Sequence, residues 1–196
     1  MVNPEAVLPP IVTEAGQELC PDDAAMRRVA QDDSEALASL FERHKERLFG
    51  FLLHLLGDRA LAEDLLGETF LHVYRARRTY RPGGGFQAWL YAIARNLALG
   101  ELRRRSRWAR FWPRLTAEQP AESCWDPAAS DAQEAVRAAL RRLPEEQRSA
   151  MVLREYLELD YAEIGQVLGC SEQAARARTY RARTALRELL REWWES

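Results

Sequence analysis

The chemistry on offer in this chain is concentrated in arginines set at helical spacing. Residues 161–183 read Tyr-Ala-Glu-Ile-Gly-Gln-Val-Leu-Gly-Cys-Ser-Glu-Gln-Ala-Ala-Arg-Ala-Arg-Thr-Tyr-Arg-Ala-Arg, and from Glu172 to Arg187 five arginines face one acid, a net +4. A guanidinium is a planar fork of N–H donors that matches phosphate oxygens and the O6/N7 edge of guanine. It is permanently charged and serves poorly as nucleophile, general base or metal ligand, so this stretch points to recognition of a polyanion. At about 100° per residue, Gln173, Arg176, Ala177 and Tyr180 share one face of a helix. Gln173 and Arg176 are candidates for base edges, and Arg178, Arg181 and Arg183 flank them as candidate phosphate clamps.

The elements that position these side chains are legible nearby. Asp160 can cap a short helix, with Glu163 three residues on completing a capping box. Ile164, Val167 and Leu168 give that helix one apolar stripe, and Gly169 suits the left-handed residue that closes it. After Cys170, Ser171 is a fitting N-cap for the arginine-bearing helix. Ala175, Thr179, Ala182, Leu186, Leu189 and Trp193 recur at steps of four and three and form its buried seam. Two helices joined this way predict a helix-turn-helix whose second member enters a DNA major groove.

A second basic segment lies upstream. Residues 75–110 hold ten arginines and only Glu101 as an acid, a net +9. Within it a glycine loop, Tyr80-Arg81-Pro82-Gly83-Gly84-Gly85, precedes Phe86, Trp89 and Tyr91. Aromatic rings interleaved with cations are what unstacked bases bind, and a flexible basic loop beside them can hold a flipped base.

Charge is segregated along the 196 residues. Residues 1–33 carry a net −5 and residues 111–135 a net −4, so a formal net charge of −2 conceals two cationic regions. The chain is 47% apolar and 30% charged, which suffices for one large or two small cores. No signal peptide is evident, because Glu5, Glu14, Pro4, Pro9 and Pro10 interrupt the N-terminus. The longest apolar run, Phe49–Leu56, includes His54 and is too short to span a bilayer. A cytoplasmic location without membrane insertion is the expectation. Cys20, Cys124 and Cys170 show no CxxC or zinc spacing, and His44, His54 and His72 show no ligand spacing. No metal or cofactor is expected.

The fold class expected is all-α, as two small helical domains joined by a flexible linker. Residues 1–23 read as a disordered extension. Residues 24–110 form the first domain. In it Leu37, Leu40, Phe41, His44, Leu48, Phe51, Leu52 and Leu55 mark a long amphipathic helix. Ala60–Arg75 is a second, with Leu66, Phe70 and Val73 inward. Phe86, Leu90, Ile93, Ala94 and Leu97 begin a third, which runs into Arg103, Arg104 and Arg105. Residues 111–130, with Pro113, Pro120 and Pro127, read as an acidic linker. In the second domain, 131–196, Val136, Leu140 and Leu143 share a helix face, Pro144 opens the next helix, and Met151, Val152 and Tyr156 can pack.

Three motifs in order then resemble the sigma-70 family. Ala62-Glu63-Asp64-Leu65-Leu66-Gly67-Glu68-Thr69-Phe70 resembles region 2.2, residues 86–98 resemble regions 2.3 and 2.4, and residues 143–183 resemble region 4. With no counterpart of regions 1.1 and 3, the chain is similar to extracytoplasmic-function sigma factors. The resemblance implies a non-catalytic subunit that binds core RNA polymerase and promoter DNA, and is held in check by an anti-sigma factor. It implies polymerase docking through Asp64, Leu65, Glu68 and Phe70. It implies reading and melting of a −10 element through Tyr80, Arg81, Trp89, Arg95, Asn96, Arg103 and Arg104. It implies reading of a −35 element through Ser171, Gln173, Arg176, Arg178, Tyr180, Arg181 and Arg183. The chain departs from the family at Gly67, at Gly83–Gly85, and at Ala174, Ala175 and Ala177.

Two other classes compete. A helix-turn-helix repressor would use residues 160–183 alone and leave 75–107 unexplained. A nuclease would need Asp22, Asp23, Asp32 and Asp33 as metal ligands, yet paired acids near a helix start serve as caps and dipole partners.

Overall fold

The computed structural model describes residues 20–83, 85–111 and 131–194. The N-terminal extension up to residue 19, Gly84, Cys124, the linker 112–130 and the side chains of Trp193 and Trp194 lie outside the described residues. Among the described residues there are helices and turns and no strand. In chain order the helices are α1 (Pro21–Val29), α2 (Ser34–Leu56), α3 (Arg59–Arg75), α4 (Phe86–Phe111), α5 (Asp131–Arg142), α6 (Glu145–Glu155), α7 (Tyr161–Leu168) and α8 (Glu172–Trp194).

Local chemistry explains the boundaries. Asp33 caps α2 by accepting from the N–H groups of Glu35 and Ala36, each at 3.0 Å, and Gly57 closes it at φ +67°. Asp58 caps α3 through the Leu61 N–H at 3.0 Å. Asp160 and Glu163 form the reciprocal capping box of α7, and Gly169 ends it at φ +63°. Ser171 Oγ accepts from the Ala174 N–H at 3.2 Å and starts α8. Each such cap is worth about 1 kcal/mol.

Two boundaries correct the sequence reading. Helix α1 begins at Pro21, inside the expected extension, because Met26 and Val29 bury against α2 and Pro21 fits the first turn. Pro144 is the N-cap of α6 and not its first residue.

The two halves, which the sequence presents as separate domains, pack against one another. Helices α2 and α4 pack on α5, α6 and α7, and the buried apolar residues from Met26 to Leu186 form one continuous cluster. Leu40, Leu48, Phe51, Leu52 and Leu55 of α2 are buried, at roughly 1.5–3 kcal/mol each.

Three arginines and one ring contact stitch the seam. Arg95 of α4 pairs with Glu145 of α6 at 2.9 Å. Arg148 donates to the carbonyl oxygen of Leu55 at 2.6 Å, and to those of Arg141 and Leu143 at 2.9 and 3.1 Å. Arg47 donates to the Leu157 carbonyl at 3.0 Å. The Tyr156 ring sits edge-on to His54, with centroids 5.1 Å apart, and its hydroxyl lies over Gly50. Tyr156 thus packs against the other half of the chain.

Candidate nucleic-acid interface

The helix-turn-helix is rigid where it must be. Gly165 of α7 faces the turn so closely that a Cβ there would lie 2.7 Å from the Cys170 carbonyl oxygen. Ala175, Thr179, Ala182 and Leu186 are buried as the seam of α8, with Thr179 Oγ1 donating to the Ala175 carbonyl at 3.0 Å. Leu189 is half-buried. The opposite face presents Ser171, Gln173, Arg176, Tyr180, Arg181 and Arg183 to solvent, and Tyr180 is 71% exposed.

The arginines of α8 are not equivalent. Arg176 pairs with Glu172 at 3.1 Å and stacks over the Tyr161 ring at 4.9 Å, which aims it along the start of the helix. Arg181 is exposed. Arg183 pairs with Glu155, and that carboxylate, through a hydrogen bond and its charge, holds the guanidinium pKa above its usual value. Arg178, expected as a phosphate clamp, turns inward to Glu146 at 2.9 Å, its side chain only 19% exposed. A helix that packs along one seam brings position 178 beside Thr179 to the edge of α6, where an acid meets it.

The upstream site is built on α4 and the loop before it. Tyr80, Phe86 and Trp89 form an aromatic group, with centroids 4.9 Å apart for Tyr80 and Trp89, 6.0 Å for Tyr80 and Phe86, and 6.2 Å for Phe86 and Trp89. Phe86 is core, while Tyr80 and Trp89 are half-buried. Tyr91, expected among the stacking aromatics, is fully buried against Phe51, and burial pushes its phenol up to about 12. Arg81, Asn96, Arg103 and Arg104 are exposed. Arg104 bonds Glu101 at 2.6 and 2.7 Å and Arg105 bridges Glu101 and Asp58, so part of the positive charge is locally balanced.

Arg95 is placed otherwise than expected. It is 8% exposed and gives its guanidinium to both carboxylate oxygens of Glu145 and to Ser149. It sits four residues after Tyr91 and three before Ala98, on the core stripe of α4, which is the periodic signal that could have shown it. In this closed arrangement it is unavailable to a nucleic acid.

On α3, Asp64 and Glu68 are exposed, but Leu65 and Phe70 are core residues, with Phe70 edge-on to Phe41 at 5.0 Å. Those two are buried and pack the helix onto the core. The exposed face carries Leu71 and Tyr74, 56% and 38% exposed, which sequence reasoning missed. Leu71 falls seven residues after Asp64 on the same face, so its position was readable.

The four acids considered as metal ligands are spoken for. Asp22 pairs with His44 and Arg43, and Asp23 bonds Tyr80 and Gly83. Asp32 pairs with Arg77 at 2.6 Å, and Asp33 caps α2. No cluster suited to a metal ion occurs among the described residues. Nor is any helix among them long and apolar enough to cross a membrane.

A fold that is all-helical among the described residues, with two arginine-bearing faces and a capped helix-turn-helix, has the features of a DNA-binding protein. Comparison with known proteins assigns the family. The model of sigma-70 region 2 matches residues 40–108, and that of sigma-70 region 4 matches residues 133–186. The chain is 38% identical over 167 residues to the RNA polymerase sigma factor CarQ of Myxococcus xanthus, covering 85% of this chain and 96% of that protein. It is 33% identical over 187 residues to the RNA polymerase sigma-H factor of Pseudomonas aeruginosa, covering 87% and 96%. Among solved structures, the sigma factor RpoE in complex with the anti-sigma factor NepR from Bartonella quintana is 25% identical, with a TM-score of 0.64 over 82% of this chain and 98% of that one. CnrH in complex with the cytosolic domain of CnrY shares the fold, at a TM-score of 0.70 and 24% identity over 88% and 99%. The chain belongs to the sigma-70 family of RNA polymerase sigma factors, with the region 2 and region 4 organisation of its extracytoplasmic-function members.

Proposed function

We propose that this chain directs core RNA polymerase to a set of promoters, contributing recognition and strand opening and no bond chemistry of its own. The observation that carries the reading is the pair of separate cationic helices, α8 behind a rigid turn and α4 beside an aromatic loop. Residues 24–110 serve core binding and the −10 element, 111–130 act as a tether, and 131–196 serve the −35 element. Asp64 and Glu68, joined by Leu71 and Tyr74, form the polymerase face of α3, with Leu65 and Phe70 behind it. Tyr80, Arg81, Trp89, Asn96, Arg103 and Arg104 engage the opened −10 strand, and Arg95 joins them once released from Glu145. Ser171, Gln173, Arg176, Tyr180 and Arg181 meet the −35 duplex, and Arg178 and Arg183 add phosphate contacts when they exchange Glu146 and Glu155 for DNA.

A polymerase partner in the cytoplasm supports a cytoplasmic location for this chain. An anti-sigma factor is the expected inhibitor, since the similar chain from Bartonella quintana was solved with one. Transcription by core polymerase plus this chain on a genomic promoter library tests the reading. Discrete, chain-dependent start sites are expected, and none at any salt overturns it.

A further inference from the structure

Asp22 and Asp23 are neighbours in the first turn of α1, yet they bind different parts of the molecule. Asp22 faces α2, where Oδ2 lies 2.9 Å from His44 Nε2 and Oδ1 accepts from Arg43. Asp23 faces the loop before α4. Its Oδ1 accepts from the Tyr80 hydroxyl and its Oδ2 from the Gly83 N–H at 2.9 Å. Helix α1 is therefore anchored by one carboxylate and grips the loop by the next.

Asp23 is 3% exposed, and among the described residues no cation lies within ion-pair distance of it. A buried carboxylate without a counter-ion is costly unless its oxygens are hydrogen-bonded. Both oxygens of this charge are spent on the loop. One bond fixes the backbone at Gly83, whose φ of +92° is outside the range of ordinary side-chain-bearing residues. The other fixes the hydroxyl of Tyr80, whose ring packs on Trp89 and Phe86. Burial first, and Asp23 after it, hold that phenol protonated well above its ordinary range, so the donor is always present.

We propose that Asp23 is a positioning residue for single-strand capture: it holds Tyr80 and Gly83 so that the half-exposed Tyr80 and Trp89 rings are ordered before a base arrives. A stacking surface arranged in advance spares the bound strand the entropy of ordering the loop. The proposal rests on the reading of α4 and its loop as the single-strand interface, and adds a residue outside both to the machinery of base selection.

The test uses the full chain bound to core polymerase and a random single-stranded DNA pool about twelve nucleotides long, retained strands being sequenced. The unaltered chain is expected to enrich a preferred base at one or two positions. Asp23→Ala and Tyr80→Phe are each expected to reduce that enrichment about tenfold at one position while leaving the others. The double variant is expected to match Asp23→Ala, because the bond that Tyr80→Phe removes is one of the two that Asp23→Ala already removes. Retention of random duplex DNA through α8, and affinity for core polymerase, are expected to stay unchanged. An equal loss at every position, with a fall in melting temperature, means a merely structural role and overturns the proposal. An unchanged base profile in both single variants overturns it too, while leaving the single-strand interface standing. No base preference in the unaltered chain sinks that interface itself. Should Asp23→Ala fail to fold, Tyr80→Phe decides, since it removes one hydroxyl and keeps the ring.

Discussion

Arg95 and Glu145 meet across the seam between the two halves, with Nη2 of the arginine 2.9 Å from Oε1 and 3.1 Å from Oε2 of the glutamate. Ser149 Oγ donates to Oε1 of the same carboxylate at 2.7 Å and completes the cluster. The arginine proposed for the −10 strand is thereby bound to the half proposed for the −35 element.

Replacing Glu145 by Ala is expected to destabilise the closed arrangement by about 1–3 kcal/mol, because it leaves a buried guanidinium without its carboxylate. Small-angle scattering of the full chain should show a larger radius of gyration. An unchanged radius would mean that the apolar part of the seam suffices.

Arg176→Ala is expected to cost about 1–3 kcal/mol at one base position of the −35 duplex and to relax specificity there. Fluorescence anisotropy on a panel of single-base duplex variants measures this. A uniform loss across the panel would assign Arg176 to phosphate instead.

Asp160→Ala removes the cap of α7 and the anchor for Glu163, and about 1 kcal/mol of stability should go with it. Thermal unfolding followed by circular dichroism reads the change. Asp160→Asn, which keeps an acceptor, should recover most of it.

These local features were legible in the sequence. The capping box at Asp160 and Glu163, the left-handed Gly169 and the seam of α8 all depend on residues within a few positions of one another. The seam between the halves was not legible. It joins Arg47 to Leu157 and Arg148 to Leu55 through guanidinium bonds to backbone carbonyls, and a carbonyl leaves no trace in residue type. Arg95 and Arg178 were read as surface cations because the acids that meet them, Glu145 and Glu146, belong to a helix far along the chain. Asp23 was read as a helix-start acid; its hold on Tyr80 spans a separation no local pattern reports.

His54 gives the fold a pH response. Burial, and then the charge of Arg137, hold its imidazole below the ordinary 6.5. Its Nδ1 has no hydrogen-bond partner among the described residues. The unfolded chain therefore binds more protons than the folded one once the pH drops through 6.5, and stability is lost progressively until the folded value is passed. Asp22 is also shifted down, its burial outweighed by His44 and Arg43, but from 3.8, so its contribution is lost only at lower pH. Melting temperatures at about pH 5 and about pH 7.5 should differ less for His54→Leu than for the unaltered chain. An equal difference in both would remove His54 as the source.

At position 50 the tip of Tyr156 comes so close to α2 that only glycine leaves it room. A methyl group built on Gly50 would overlap the Tyr156 hydroxyl, 2.0 Å away. The atom it meets is the tip of a residue that is 40% exposed, so in Gly50→Ala the Tyr156 ring gives up its edge-on place against His54, and one contact between the halves is loosened without altering a charge or any residue assigned to DNA.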